Sequence, residues 1–371
     1  MDINVITRHS IVNYGSFFQT LATQYFFREL GFDCKIIDYI SKNETIFGNI
    51  KVNLKKRKGI KKLIYPFAKF PDEFLKTKIF NRFTRKELNL TKRRFSSIDD
   101  LKEYNFTGIL CSGSDQIWGY MPNGKLDPAY FLDFAKENNT CISFAASFGR
   151  SDFSLDEWNY IRKELQKFSM ISIRENNLVS EINKNYNLDS FSILDPTLMI
   201  DPKFWFDFCD SNSKNRIKNK YILVYQLRKN LDMDKYIKDV EQKTGLRAIR
   251  ISTSIYDFFK NNTKVLLSPS NVLSYFKNAE LIITDSFHAT VLSIIFNKQF
   301  IDVLPPKTSL RIVDLLSTLQ ISNRIIRSFS DFSLLDDNIS YTLINKKIKE
   351  LRDNYRNKIN CKLEELIHDG M

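Results

Sequence analysis

The sequence has 371 residues, with 56 Lys+Arg against 43 Asp+Glu, a formal net charge of +13 and 43% hydrophobic residues. That apolar share, with 11 Gly and 9 Pro, excludes wholesale disorder and collagen-like chains. Five scattered cysteines without a CxxC pair, and three histidines in all, leave neither a disulfide framework nor a clustered zinc site to expect.

In chain order, Ile3–Thr7 reads as a first strand. A loop from Arg8 to Gly15 follows, and Ser16 is placed to cap a helix running to about Leu30. Phe17, Leu21, Tyr25 and Leu30 fall near helical spacing, and Gly31 stops the helix. Cys34–Tyr39 is the second strand, completing a βαβ unit. Residues 42–95 read as a basic helical insertion. Gly108–Cys111 is a strand that runs straight into GSDQIW, and Thr140–Ala146 is another. A helix over Asp156–Phe168, a strand over Met170–Ile173 and a helix over Glu175–Asn185 follow. Ser192–Leu194 and the run DPTLMI close this half, and polar residues 209–220 read as a linker.

The pattern then restarts. Strand Tyr221–Gln226 leads to a helix over Asp232–Thr244, stopped by Gly245, and to strand Arg247–Ser252. Helix Ser270–Asn278, with Ser270 as its cap, precedes strand Leu281–Thr284, the apolar helix Ala289–Phe296 and strand Phe300–Val303. Pro305-Pro306 is a breaker, residues 309–320 look helical, and a charged helix runs from about Ser340 to Ile367. Two such series predict an α/β protein of two Rossmann-like domains facing across a cleft. The expected domains are 1–208, carrying the insertion, and 221–340, with a helix over 341–371 packing back on the first domain.

No apolar run approaches the roughly 20 residues of a spanning helix, and the N-terminus MDINVITRHS has no basic region followed by an apolar one, so no signal peptide is expected. Buried free thiols at Cys34, Cys111 and Cys141 fit a reducing, cytoplasmic compartment. The charge is concentrated: residues 51–94 hold 16 Lys+Arg against three acids, which equals the surplus of the whole chain. Tyr65, Phe67, Phe70, Phe74, Phe80 and Phe83 interleave these cations. Such a segment suits contact with an anionic surface, lipid head groups or a diphosphate carrier, on the inner face of a membrane. The alternative is a solvated helical hairpin packed by its aromatics. No nucleic-acid motif accompanies the charge, so nucleic acid is not an expected partner.

Four polar clusters sit at expected strand ends, where open α/β sheets hold ligands. The first, HSIVNYGSFFQ, contains Asn13, Tyr14, Gly15, Ser16 and Gln19; free amides at a helix start attract anions. The second is Gly113, Ser114, Asp115 and Gln116, where glycine permits close backbone approach. The third is Arg174-Glu175. Arg174 either clamps a carboxylate or phosphate or pairs with Glu175 or another acid. The fourth is TDSFHAT, in which His288 follows Ser286 and Phe287 at a strand–helix turn.

The ordered set NYGSFFQTLA (13–22), IIDY (36–39), GSDQIW (113–118), AASFG (145–149), SIRE (172–175), LDPTLMI (194–200) and TDSFHAT (284–290) resembles the polysaccharide pyruvyl transferase family. Ala289 stands where that family commonly has Gly, and the basic insertion has no counterpart in the matching motifs. The resemblance implies a glycosyltransferase-B-like fold. It also implies transfer of a pyruvyl group from phosphoenolpyruvate to a sugar of a cell-surface polysaccharide or its lipid-linked precursor, forming a ketal and releasing phosphate. No metal or organic cofactor is implied. The family's donor-pocket arginine and histidine carry over to Arg174 and His288, with Ser286 and Phe287 as neighbours; Asn13, Gly15 and Ser16 correspond more loosely. Asp115 is the candidate for orienting sugar hydroxyls. His288 is placed as acid toward the methylene carbon, as base toward the hydroxyl, or as a cation beside the departing phosphate. Two rivals stand beside this reading. One is a nucleotide-sugar glycosyltransferase of the same fold. The other is a non-catalytic binding module of a polysaccharide synthesis complex.

Overall fold

The computed structural model describes residues 1–55, 57–150, 152–212, 219–304 and 310–369. The Pro305-Pro306 breaker, Lys56 of the basic run and residues 213–218 of the expected linker lie outside the described residues. The chain divides into two compact units, Met1–Ile200 with Arg352–Met371, and Asp201–Leu351.

The first unit opens with β1 (Asp2–Ile6), α1 (Tyr14–Glu29) and β2 (Asp33–Tyr39). The insertion forms α2 (Ile46–Leu54) and α3 (Ile60–Glu87), the latter holding Pro66 and Pro71 within it. Then come β3 (Leu90–Phe95), α4 (Ile98–Lys102), β4 (Ile109–Ser112), β5 (Thr140–Ser143), α5 (Leu155–Leu165), β6 (Ile171–Ile173), α6 (Asn176–Tyr186), β7 (Ser190–Ser192) and α7 (Pro196–Met199). Among the described residues these build a parallel five-stranded sheet in the order β3-β2-β1-β4-β5 and a two-stranded β6-β7 sheet. The central strands β1 and β4 are buried apolar runs, as expected of a parallel sheet covered on both faces; Ile3, Val5, Ile6, Ile109, Leu110 and Cys111 are all buried.

The second unit holds α8 (Pro202–Asn212), β8 (Tyr221–Tyr225), α9 (Leu231–Thr244), β9 (Arg247–Ser252), β10 (Thr263–Val265), α10 (Pro269–Asn278), β11 (Leu281–Thr284), α11 (Phe287–Ile295), β12 (Gln299–Asp302) and α12 (Leu310–Thr318). Its parallel sheet has the same design, β10-β9-β8-β11-β12. Gly245 closes α9 in the left-handed region at φ 68°, as a helix stop should. The last helix, α13 (Tyr341–Asp369), begins in this unit, and from Arg352 onward belongs to the first. There Arg352 donates to the Leu198 carbonyl at 2.9 Å, and Arg356 and Lys362 pair with Glu29 and Asp189, each at 2.8 Å. No helix among the described residues is long and apolar enough to cross a membrane.

The α/β class with two Rossmann-like sheets is as expected, and several local readings change. The cap of α1 is Asn13, whose side chain accepts from the amides of Gly15 and Ser16; asparagine does this at least as well as serine and stands at the position the backbone requires. The cap of α10 is Ser268, with Pro269 in the first turn, so Ser270 lies inside the helix. The last stretch of the basic segment is not helical. Residues Lys92, Arg93 and Arg94 belong to β3, an edge strand whose exposed cations discourage pairing with another chain. Ladder pairing of β5 ends at Ser143, because Ala145 turns to φ 50°. Cys209–Asn212, read as linker, complete α8.

Candidate active site

In a sheet whose first strand has neighbours leading in opposite directions, a crevice opens beyond the carboxyl ends of the two strands at the reversal. In the first unit those strands are β1 and β4, paired in register from Ile3↔Ile109 to Ile6↔Ser112. The loop after each strand is one of the clusters singled out above, and the sheet order brings them together. Thr7 Oγ1 donates to the Ser114 carbonyl at 2.7 Å, and Ser16 Oγ donates to Asp115 Oδ2 at 2.8 Å. The turn needs Gly113: at φ 137° a Cβ there would meet the Phe144 carbonyl oxygen at 2.1 Å. Ile117 and Trp118 anchor the far side of the loop in the core, and the Trp118 indole donates to the Tyr130 carbonyl at 3.0 Å. Asp115 sits at φ 82°, a region aspartate tolerates better than most residues. Gln116 is half-buried beside Gly149.

Arg174, at the end of β6, reaches into this loop. Its side chain is 3% exposed. Nη2 donates to Ser114 Oγ at 2.5 Å and lies 3.8 Å from Asp115 Oδ1, Nε donates to the Ala145 carbonyl at 3.1 Å, and Nη1 is 2.7 Å from Asp195 Oδ2. The acid that pairs most closely with Arg174 is Asp195, with Asp115 farther off. Glu175 points elsewhere, accepting from Ser147 Oγ and from the Gly149 amide. Asp195 was missed in the sequence, although an aspartate directly before Pro196 at the end of an apolar stretch marks it.

The remaining members of the first cluster also have internal duties. Asn13 Oδ1 takes the Gly15 and Ser16 amides at 2.7 and 3.4 Å, so the amides expected to be free at this helix start are occupied by the cap. Tyr14 packs its ring 4.9 Å from that of Phe80 of α3. Gln19 is buried, donating toward Thr7 Oγ1, the Ser16 carbonyl and Thr20 Oγ1. Beside them His9 Nε2 lies 3.2 Å from Asp38 Oδ1. Burial acts to raise the Asp38 carboxyl, but hydrogen bonds from His9 and Arg94 outweigh it and hold the group below the usual carboxylate range.

The second unit repeats the arrangement. The reversal there lies between β8 and β11, which pair from Leu281↔Ile222 to Thr284↔Tyr225. Asp285, directly after β11, accepts from the Leu227 and Arg228 amides at 2.6 and 3.0 Å, tying the two strand-end loops together. Burial pushes its carboxyl up, against the pull of those amides. Ser286 is the first residue before α11, and its amide donates to Thr284 Oγ1 at 3.0 Å. His288 is the second residue of α11, half-buried, its ring 5.3 Å from that of Phe287. The Arg311 guanidinium lies 4.9 Å from the Phe287 ring centre.

Asp302, at the end of β12, was also missed. An acid closing an apolar strand beside this turn is the signal that could have found it. It is fully buried, and burial pushes its carboxyl up to about 8, so it holds its proton at neutral pH. The Thr290 hydroxyl lies 2.7 Å from it and 3.1 Å from the Ser286 carbonyl. The Thr290 hydroxyl donates to Asp302 Oδ1 and shares its proton with the Ser286 carbonyl, and these contacts fix the first turn of α11. The sign of the linkage follows. Above about pH 4 the unfolded carboxyl has lost its proton while the folded one keeps it until about 8. Stability therefore falls across that window, by up to about 1.4 kcal/mol per pH unit. Asp302→Asn keeps the shape without the titration. Its unfolding free energy relative to the unsubstituted protein is expected to rise steadily from pH 5 to pH 8. Denaturant titrations at several pH values check this, and parallel curves would show that Asp302 ionises normally.

Among the described residues no group of His, Cys, Asp and Glu is gathered as a metal site. The sequence model of the family described as polysaccharide pyruvyl transferase matches residues 13–307. Among proteins of curated function, none matches this sequence. Solved structures are similar at low identity. A UDP-GlcNAc 2-epimerase of Methanocaldococcus jannaschii is 13% identical over 95% of this chain and 94% of its own, with a TM-score of 0.48. The UDP-GlcNAc 2-epimerase of Neisseria meningitidis is 9% identical over 97% and 94%, with a TM-score of 0.46. An ADP-heptose LPS heptosyltransferase II of E. coli is 10% identical over 96% and 99%, with a TM-score of 0.38.

Proposed function

This chain belongs to the polysaccharide pyruvyl transferase family, and from that premise we propose that it transfers a pyruvyl group from phosphoenolpyruvate to a saccharide, closing a ketal across two hydroxyls and releasing phosphate. The observation that carries the proposal is the turn from β11 into α11, where an imidazole follows a buried strand at the sheet's reversal point.

The chemistry asks for one proton delivered to the methylene carbon of the donor. That leaves cationic character on the carbon bearing oxygen. One sugar hydroxyl adds there and gives up its proton. The carbon–oxygen bond to phosphate breaks, the phosphate leaves carrying one of the released protons, and the second hydroxyl closes the ring with loss of its own proton. A group titrating near neutrality serves these transfers best, and His288 is the one histidine of the second unit. It acts as acid to the methylene carbon or as base to a hydroxyl. Ser286 and Phe287 shape the turn that presents it.

In the first unit, Asp115 is the acceptor-orienting group, held in place by Ser16 and Arg174. Arg174 is a positioning residue for Ser114 and Asp115. Phosphoenolpyruvate is substrate, and the proposed reaction uses no further cofactor.

Phosphate release from phosphoenolpyruvate, measured with a panel of free and lipid-linked saccharides, tests the reaction. Release that requires a saccharide and yields an acid-labile ketal is the expected result. Consumption of a nucleotide sugar in its place, or no turnover with any member of the panel, would overturn it.

A further inference from the structure

The insertion that the family motifs do not account for builds two adjoining hollows and an apolar stripe, all within the first unit. The first hollow, about 460 Å³, lies beyond the carboxyl ends of β1 and β2 and is walled by α2 and α3. Arg8, Glu44, Asn49, Lys76, Asn81 and Arg94 are among its lining residues. Several are held by one another or by neighbours: Arg8 pairs with Glu44 at 2.7 Å, Arg94 with Asp38 at 2.9 Å, and Lys76 with Glu73 at 2.6 Å. Fixed amide, carboxylate and guanidinium groups around a small hollow are what a ligand rich in hydroxyls needs.

The second hollow, about 500 Å³, shares Ile46, Thr77 and Asn81 with the first. Its other lining residues are Phe74 and four cations, Lys78, Arg82, Arg85 and Lys86, with no acid among them. Their spacing puts the cations on one face of α3. Like charges three and four residues apart repel, so this face is built for an anion. Toward the start of α3 the same helix carries Ile60, Leu63, Ile64 and Phe67 at apolar helical spacing. Ile60 is 70%, Leu63 72% and Phe67 83% exposed. Phe70 stacks on Phe74 at 5.9 Å and meets Phe47 of α2 at 5.7 Å, joining the stripe to the second hollow. Each such side chain left in water forgoes burial that the apolar part of a membrane interface would supply.

The stripe, then Phe70 and Phe74, then the cations follow one another along α3, and the polar hollow lies beside the cationic one. We propose that the α2–α3 hairpin binds a saccharide joined through phosphate to a long hydrocarbon chain, with the sugar in the first hollow, the phosphate on Lys78, Arg82 and Arg85, and the stripe in the membrane interface that holds the chain. Calling that saccharide the acceptor rests on the transferase reading; the binding surface does not.

The test is sedimentation of the full-length protein with phosphatidylcholine vesicles carrying polyprenyl phosphate, against vesicles of matched charge carrying phosphatidylglycerol, with no phosphoenolpyruvate present. Tighter binding to polyprenyl phosphate is expected. Arg82→Gln with Arg85→Gln should weaken that binding by about fivefold for each cation removed. Leu63→Ser with Phe67→Ser should weaken binding to both kinds of vesicle. All four side chains are exposed, so unchanged thermal unfolding will confirm that these variants fold. Equal binding to both vesicles, or binding indifferent to Arg82 and Arg85, would overturn the proposal. Carrier binding without phosphoenolpyruvate turnover would overturn the reaction and leave this surface standing.

Discussion

Turnover of a His288→Ala protein is expected to fall by roughly 10²–10⁴-fold, the range a positioned general acid or base contributes. The other two histidines cannot substitute. His9 is buried against Asp38, and His368 is an exposed residue of α13. The loss should appear in kcat more than in KM, because proton transfer is a demand of the transition state and not of donor binding. The limb of the pH–rate profile that reports the imidazole should vanish with it. Thermal unfolding should change little, since the His288 side chain is half-buried and α11 is held by the Thr290–Asp302 contact. Turnover near that of the unsubstituted protein would remove His288 from the chemistry.

The second large effect is on stability. Arg174→Met takes the guanidinium from a buried aspartate at 2.7 Å and from Ser114 at 2.5 Å. Removing one partner of a buried ion pair costs about 3–5 kcal/mol, because the remaining charge stays in a medium of low polarity. Denaturant unfolding should show that loss. Lysine should rescue it poorly, since an ammonium donates from one nitrogen, whereas Ala145, Ser114 and Asp195 are met by three separate nitrogens of the guanidinium. Arg174→Met combined with Asp195→Leu should lose less than Arg174→Met alone, because no carboxylate is then stranded. A single variant as stable as the parent protein would show that the pair contributes nothing. Activity should fall in either Arg174 variant if Ser114 and Asp115 need that support. An Asp115→Asn variant, which keeps an acceptor for Ser16, separates positioning from charge.

Much of this was legible in the residues. The alternation of buried apolar runs with helical spacing identified the strands, and Leu281–Thr284 and Arg247–Ser252 have the expected bounds. A parallel strand is a continuous apolar run because both faces are covered, so its end, where polar residues begin, is readable. The clusters at 113–116 and 284–290 were found that way. Less visible was β3. Its sequence LTKRRF looks like more of the basic segment because an edge strand tolerates cations that a central strand excludes. Helix starts were misplaced by a few residues where two polar side chains competed. Asn13 and Ser268 won over Ser16 and Ser270 because the backbone leaves helical geometry at those positions.

By itself, then, the sequence determined the class of fold, the ends of the central strands and the polar loops that stand on them. Each is a local matter of spacing and solvent exposure. Which loops meet was decided by strand order. Ser16 reaches Asp115 across 99 residues because β1 and β4 lie side by side, and Arg174 reaches Ser114 across 60 because β6 bridges to the end of β5. The partner of Arg174, the proton on Asp302 and the hollows under the insertion exist only when distant segments exclude water together. A charge acquires its partner and its pKa from that enclosure, and no spacing along the chain encodes it.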